Sequence, residues 1–179
     1  VSTVHCTFAD FILHHARTRP EKPAIILADR VATCDMMAQG MLRVEERTRA
    51  LKLAPHELVC IVIENPIRHM IVGAALFRLG LPVMSAAKAN DMPPFRLPWN
   101  VALQADPEPL IPGCRQVMVG DEWFAGDRMT IDAQPSNGFE SDQSICRVDL
   151  SSGTTGRPKA LSLTVKSFHQ YLANYHSAI

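Results

Sequence analysis

The 179 residues carry no excess charge of either sign: lysine plus arginine and aspartate plus glutamate both number 18. That balance argues against a broadly cationic surface of the kind that grips nucleic acid or anionic lipid, and no nucleic-acid partner is expected. Long apolar runs are missing as well. The longest, about Met70–Phe77, falls far short of the roughly 20 residues a bilayer-spanning helix needs. No cleavable leader is legible at the start, where His5 and Asp10 break up any apolar core. The expectation is a cytoplasmic chain without a membrane span. Cysteines stand apart at positions 6, 34, 60, 114 and 146, which offers neither a disulfide framework nor zinc spacing. Cys60 lies in an apolar run and reads as a small core residue. The histidines form no ligand set: His14 and His15 diverge on a helix, and His169 and His176 share a helical face without an acidic partner. No metal ligand is assigned.

What remains is ordinary globular composition, 47% apolar and 20% charged, at a length that suits one domain or a little more. Thr7 can cap a first helix with Phe8, Phe11, Ile12 and His15 on one face, ended by Pro20 and Pro23. Ala24–Leu27 reads as a short buried strand, Asp29-Arg30 as a turn, and Val31–Thr33 as a second strand. A helix follows over about Asp35–Leu51, striped by Met37, Met41, Val44, Thr48 and Leu51. Leu58–Ile63 is a β-branched run suited to burial on both faces. Asn65 caps a helix with Pro66 at its first position, Gly80 closes it in a left-handed turn, and Leu81–Met84 is the next strand. This strand, helix, strand order predicts a parallel βαβ unit. Seven of the 13 prolines fall between Pro82 and Pro112, a loop-rich stretch with a short strand near Val101–Gln104. Further strands are expected at Val117–Val119, Met129–Ile131, Ile145–Leu150 and Leu161–Val165, a turn at Ser136–Asp142, and a helix at Ser167–Ala178. The fold class is α/β, with a mainly parallel sheet flanked by helices.

One segment carries chemistry: Ser-Ser-Gly-Thr-Thr-Gly-Arg-Pro-Lys-Ala-Leu at 151–161. Gly153 and Gly156 allow backbone conformations that turn successive N–H groups toward one point, an anion nest. Ser151, Ser152, Thr154 and Thr155 add hydroxyl donors, Lys159 adds a charge, and Pro158 stiffens the exit. Such a loop has little to bury and is expected to be exposed and ordered by phosphate. It is not a Walker A loop, because Lys159 follows proline and leads into a strand rather than a helix. On composition alone it could equally be a Ser/Gly-rich hairpin without a ligand.

The string resembles the signature loop of the AMP-forming acyl-CoA synthetase, luciferase and peptide-synthetase adenylation-domain superfamily, usually Thr-Ser-Gly-Thr-Thr-Gly-x-Pro-Lys-Gly-Val. Ser152, Gly153, Thr154, Thr155, Gly156, Pro158 and Lys159 match, with Ser151 a conservative variant and Arg157 at the free position. Departures are Ala160 for the usual glycine and Val165 where a histidine commonly follows Thr164. Upstream the likeness is looser, and His56-Glu57 stands where the family has Gly-Asp. The resemblance implies the N-terminal part of an adenylate-forming enzyme's large domain. Residues 1–86 would be a first α/β segment, 87–143 a Pro-rich connection, and 144–179 the strand, phosphate loop, strand and helix. It further implies ATP and Mg²⁺, with coenzyme A as second substrate and a carboxylic acid as the group activated. Lys159 would be the catalytic charge, and Ser151, Ser152, Gly153, Thr154, Thr155 and Gly156 would hold phosphate. The family's later motifs have no counterpart before Ile179, so the expected partner is the remainder of its own enzyme chain, without which the chain is not expected to catalyse. The competing expectations are a non-catalytic adenylation-like module that acts through protein contacts, and a nucleotide-binding domain of another kind.

Overall fold

A computed structural model describes residues 7–86, 99–107, 113–131, 138–151 and 159–176. Helix α1 (Phe8–Thr18) opens on a capping box: the backbone N–H and hydroxyl of Thr7 both donate to Asp10 Oδ2 at 2.7 Å. Its buried face is Ala9, Leu13 and Ala16 together with Asp10, whereas Phe11 is 56% exposed. The expected stripe of larger residues is thus displaced. The small residues allow close approach to the neighbouring helices, and Asp10 is drawn inward by an ion pair with Arg78.

Strands β1 (Pro23–Ile26) and β2 (Val31–Thr33) form a separate antiparallel pair. Contrary to expectation β1 is largely exposed, with Ile26 at 73%, and lies outside the main sheet. The tight Asp29-Arg30 turn folds it back on β2, and a four-residue apolar run cannot by itself reveal which sheet it joins. Thr33 caps helix α2 (Cys34–Ala50), accepting from the Met36 N–H at 3.2 Å. The stripe of Met37, Met41, Val44 and Thr48 is buried as expected.

The main sheet is built around β3 (Leu58–Val62), all five of whose residues are buried. Asn65 Oδ1 accepts from the N–H groups of Ile67 and Arg68 to cap α3 (Pro66–Arg78), and Gly80 ends it at φ 70°. Strand β4 (Val83–Ala86) runs parallel to β3, which completes the βαβ unit. It starts two residues later than expected because the N–H of Leu81 bonds Leu76 in the helix cap and Pro82 has no N–H to give a ladder. Strands β5 (Trp99–Gln104), β6 (Arg115–Met118), β7 (Ile145–Ser151) and β8 (Lys159–Thr164) and helix α4 (Val165–His176) follow. The order across the sheet is β6-β5-β3-β4-β7-β8, parallel except for the β7–β8 hairpin. Val59, Ile61, Val83, Val101 and Leu103 face α1–α3, while Leu58, Cys60, Val62, Met84, Ala102 and Val148 form a second cluster. Among the described residues no helix is long and apolar enough to cross a membrane.

No strand forms at 129–131. Its place is taken by side chains of α2: the Gln39 amide donates to Met129 O and accepts from the Met129 N–H, at 2.9 and 2.8 Å. Arg43 donates to the carbonyls of Phe124, Gly126 and Asp127, and Arg128 makes two bonds to Asp35. The backbone polarity that a strand would satisfy in a ladder is satisfied here by a helix surface.

Candidate phosphate-binding site

The segment singled out in the sequence spans the turn of the β7–β8 hairpin. Ser151 and Lys159 are the last register pair, and Ser151 Oγ lies 3.5 Å from Lys159 O. Ser152, Gly153, Thr154, Thr155, Gly156, Arg157 and Pro158 lie outside the described residues. Of the candidate binding residues, therefore, the structure brings together Ser151, half-buried, and Lys159, exposed.

The position of the pair follows from topology. Strand β5, next in the chain after β4, lies on the far side of β3, whereas β8, next after β7, lies outward of it. Neighbouring parallel strands whose exits diverge leave a crevice at their carboxyl ends, the place where open α/β sheets bind ligands. Ser151 ends β7 and Lys159 opens β8, so the pair stands at the carboxyl end of β7, at that switch point in the strand order.

Below the hairpin the register slips between Ile145 and Arg147. This bulge lets Cys146 pack with Phe77 and Val165 beside α3 and α4 while Val148 packs in the opposite cluster. Arg147 Nε donates to Asp149 Oδ1 at 2.6 Å, two residues along the same strand. At the end of β3, His69 Nδ1 lies 3.0 Å from Ile63 O. Burial, the largest influence, holds the His69 pKa below its ordinary value, aided by the charge of Arg147 and opposed by the Ile63 bond. The ring is therefore neutral at pH 7, with Nδ1–H donating to the carbonyl. Neither His69 nor the Arg147–Asp149 pair was singled out from sequence. The available signal was a charged residue at alternate positions of an otherwise apolar strand.

Burial pushes both Cys60 and Cys146 up to about 12, so each remains a thiol rather than a nucleophilic thiolate. Among the described residues no three His, Cys, Asp or Glu side chains are grouped to hold a metal.

No family model matches the sequence, and no curated protein matches it. Solved structures do. The N-terminal subdomain of Klebsiella oxytoca NpsA matches with a TM-score of 0.67 at 17% identity, over 92% of this chain and 43% of that one. The o-succinylbenzoate coenzyme A synthetase MenE of Bacillus subtilis, in complex with AMP, matches with a TM-score of 0.66 at 20% identity, over 94% of this chain and 45% of that one. The same enzyme with its acyl-adenylate intermediate matches at 0.65 and 19% identity, over 94% and 45%. The chain thus spans less than half the length of these structures. Its fold is that of the NpsA N-terminal subdomain and of the matching portion of MenE.

Proposed function

We propose that the chain supplies the phosphate-handling part of an ATP-dependent, AMP-forming acid–thiol ligase, of the acyl- or aryl-CoA ligase kind. The observation that supports this is the Ser151–Lys159 pair at the divergent carboxyl ends of β4 and β7, with Ser-Gly-Thr-Thr-Gly-Arg-Pro between its members. In the proposed reaction a substrate carboxylate oxygen attacks the α-phosphorus of ATP. The bond from that phosphorus to the bridging oxygen breaks, and pyrophosphate departs with the electron pair. A thiol such as coenzyme A then displaces AMP to give the thioester.

Negative charge grows on the departing pyrophosphate, and fixed donors placed against it lower the barrier more than they tighten ground-state binding. Lys159 supplies the charge, Ser151, Ser152, Thr154 and Thr155 the hydroxyls, and Gly153 and Gly156 the permissive backbone. That MenE is seen with AMP and with an acyl-adenylate is consistent with such chemistry on this fold. The described residues offer magnesium no carboxylate cage, and Asp149, the nearest carboxylate along β7, is bonded to Arg147. Mg²⁺ is accordingly placed with ATP, as part of the substrate, and no step is assigned to it. The isolated chain is expected to be inactive, because alignment of carboxylate and α-phosphorus needs both ends of the nucleotide held.

Calorimetric titration tests the assignment. The chain should bind ATP and pyrophosphate, and Lys159→Ala should weaken both at least tenfold, about 1.4 kcal/mol, with AMP affinity unchanged. Equal ATP affinity in the folded variant would overturn it. Absence of ATP binding in the unmodified chain would favour a module that acts through protein contacts.

A further inference from the structure

Between α2, the first turns of α3 and the chain that follows β6 lies a cleft of about 430 Å³, a size that suits a small molecule. Three guanidinium groups from three elements line it: Arg43 on α2, Arg68 on α3 and Arg128. Among the described residues the one carboxylate in the lining is Asp35, 17% exposed, which accepts a bond from each Nη group of Arg128. Arg68 lies over the Phe124 ring, 5.0 Å from its centroid, and is bonded to Asp121. The Asp121 side chain is 86% exposed and stands outside the lining.

Arg43 differs from both. Its Nη groups donate to the carbonyls of Phe124, Gly126 and Asp127, while its buried Nε has no partner. Among the described residues no carboxylate pairs with it, so its charge is fixed in place without being neutralised. Cations withdrawn from water are ordinarily paired. Three guanidinium groups less one carboxylate leave the lining two positive charges in excess. That matches a phosphate monoester, which carries about −1.5 to −2 at pH 7. The rest of the wall includes Met36, Ile67 and Ile71. Gln39, its one neutral side chain able to hydrogen-bond, is engaged in both directions by Met129. A sugar or a nucleobase therefore finds no neutral side-chain partner in the lining.

We propose that this cleft binds a phosphate monoester of a compact apolar alcohol. Its phosphoryl oxygens are held by Arg68 and Arg128 within the field of Arg43, and its apolar body lies against Met36, Ile67 and Ile71. The lining shares no residue with the hairpin: it belongs to α2, α3 and the segment after β6, not to β7 or β8. The site binds its ligand without reacting it and stands whether or not the chain serves adenylation.

Phenyl phosphate titrated into the chain, with phenol as its uncharged counterpart and AMP as a nucleotide, tests this. Phenyl phosphate should saturate and bind at least tenfold more tightly than either. Arg68→Met should weaken it at least tenfold, since a forked, charged donor is lost. Asp35→Asn should tighten it at least threefold, because the lining loses its one negative charge and Arg128 is released to the ligand. A purely structural Asp35–Arg128 clamp gives the opposite change. Lys159→Ala should leave the affinity within twofold. Failure to saturate, AMP bound as tightly, unchanged affinity in folded Arg68→Met, or unchanged or weaker binding in Asp35→Asn would overturn the site. A loss of binding in Lys159→Ala would place the ligand at the hairpin and overturn it equally.

Discussion

Over β3, helices α1, α2 and α3 enclose side chains almost completely, whereas along β8 the four residues Lys159–Ser162 are all exposed. The helical region adds a buried ion network: Arg78 reaches Asp10 on α1 and Glu45 on α2, with the three side chains 11%, 8% and 3% exposed. The hairpin has no such buried ion network among the described residues: its ion pair, Arg147–Asp149, is a third or more exposed. Stability is thus concentrated at the centre of the sheet and ligand-accessible chemistry at its β8 edge. Substitutions can set the two apart.

The largest effect belongs to the network. Arg78→Ala strips Asp10 and Glu45 of the buried cation they share, leaving Glu45 its bond to the largely exposed Arg49, and removing one member of a buried pair typically costs about 3–5 kcal/mol. Urea unfolding should show that loss. Combining Arg78→Met with Asp10→Asn and Glu45→Gln should restore much of it, because no charge is then stranded. A single variant that unfolds at the same urea concentration as the parent would remove the network from the account of stability. Gly80→Ala comes next. Gly80 has φ 70°, and a Cβ there would fall 1.7 Å from Gly138 O. The backbone strain alone is worth about 1–3 kcal/mol, with the displacement of Gly138 added.

Gly80 also shows how much could be read in advance. Its left-handed turn was legible because glycine, a helix before it and a strand after it agree on one conformation. Its contact with Gly138 was not, since 58 positions separate them and the pairing is purely tertiary. The same distinction holds elsewhere. Caps at Thr7 and Asn65 are local and came out as read. The burial of Asp10 and Glu45, and Gln39 standing in for a strand beside Met129, depend on partners distant in sequence. At the candidate site the hairpin ends were legible from strand, loop and strand, while the placing of Arg147 and His69 beside one another required the fold.

His56 gives a smaller effect of opposite sign. It holds φ 59°, a conformation glycine adopts without strain, and stands where the resembling family has glycine. His56→Gly should therefore stabilise the chain by about 1 kcal/mol in urea. The His56–Glu140 pair that it removes involves a carboxylate side chain 83% exposed and contributes little. Destabilisation would show that the pair or the ring's packing outweighs the strain. His69 sharpens the comparison through pH. Its folded pKa is depressed, so the unfolded chain binds more protons. Stability is then fully present above the ordinary histidine pKa near 6.5 and declines as pH falls through 6.5 toward the folded value. Unfolding from pH 7.5 down to pH 5 should show a shallower decline in His69→Gln than in the parent, and parallel curves would contradict the assignment.

The smallest expected effect on stability is at Lys159, and it separates the two regions most sharply. The residue is exposed on the outer strand of the sheet, so truncation removes neither buried contact nor cavity lining, and Lys159→Ala should lie within about 0.5 kcal/mol of the parent in urea. If Lys159 faces a departing pyrophosphate, the same substitution in the complete ligase should reduce ATP–pyrophosphate exchange by about 10²-fold, the scale found for one donor aimed at developing charge. The two readings have opposite patterns. A structural lysine would lower stability and exchange together, through the population of folded protein. A phosphate-binding lysine would leave the unfolding curve in place, lower exchange, and spare AMP affinity, because AMP lacks the β- and γ-phosphates. Exchange equal to the parent in a folded variant would remove the ammonium group from the proposed chemistry and return the hairpin to the status of an unliganded surface loop.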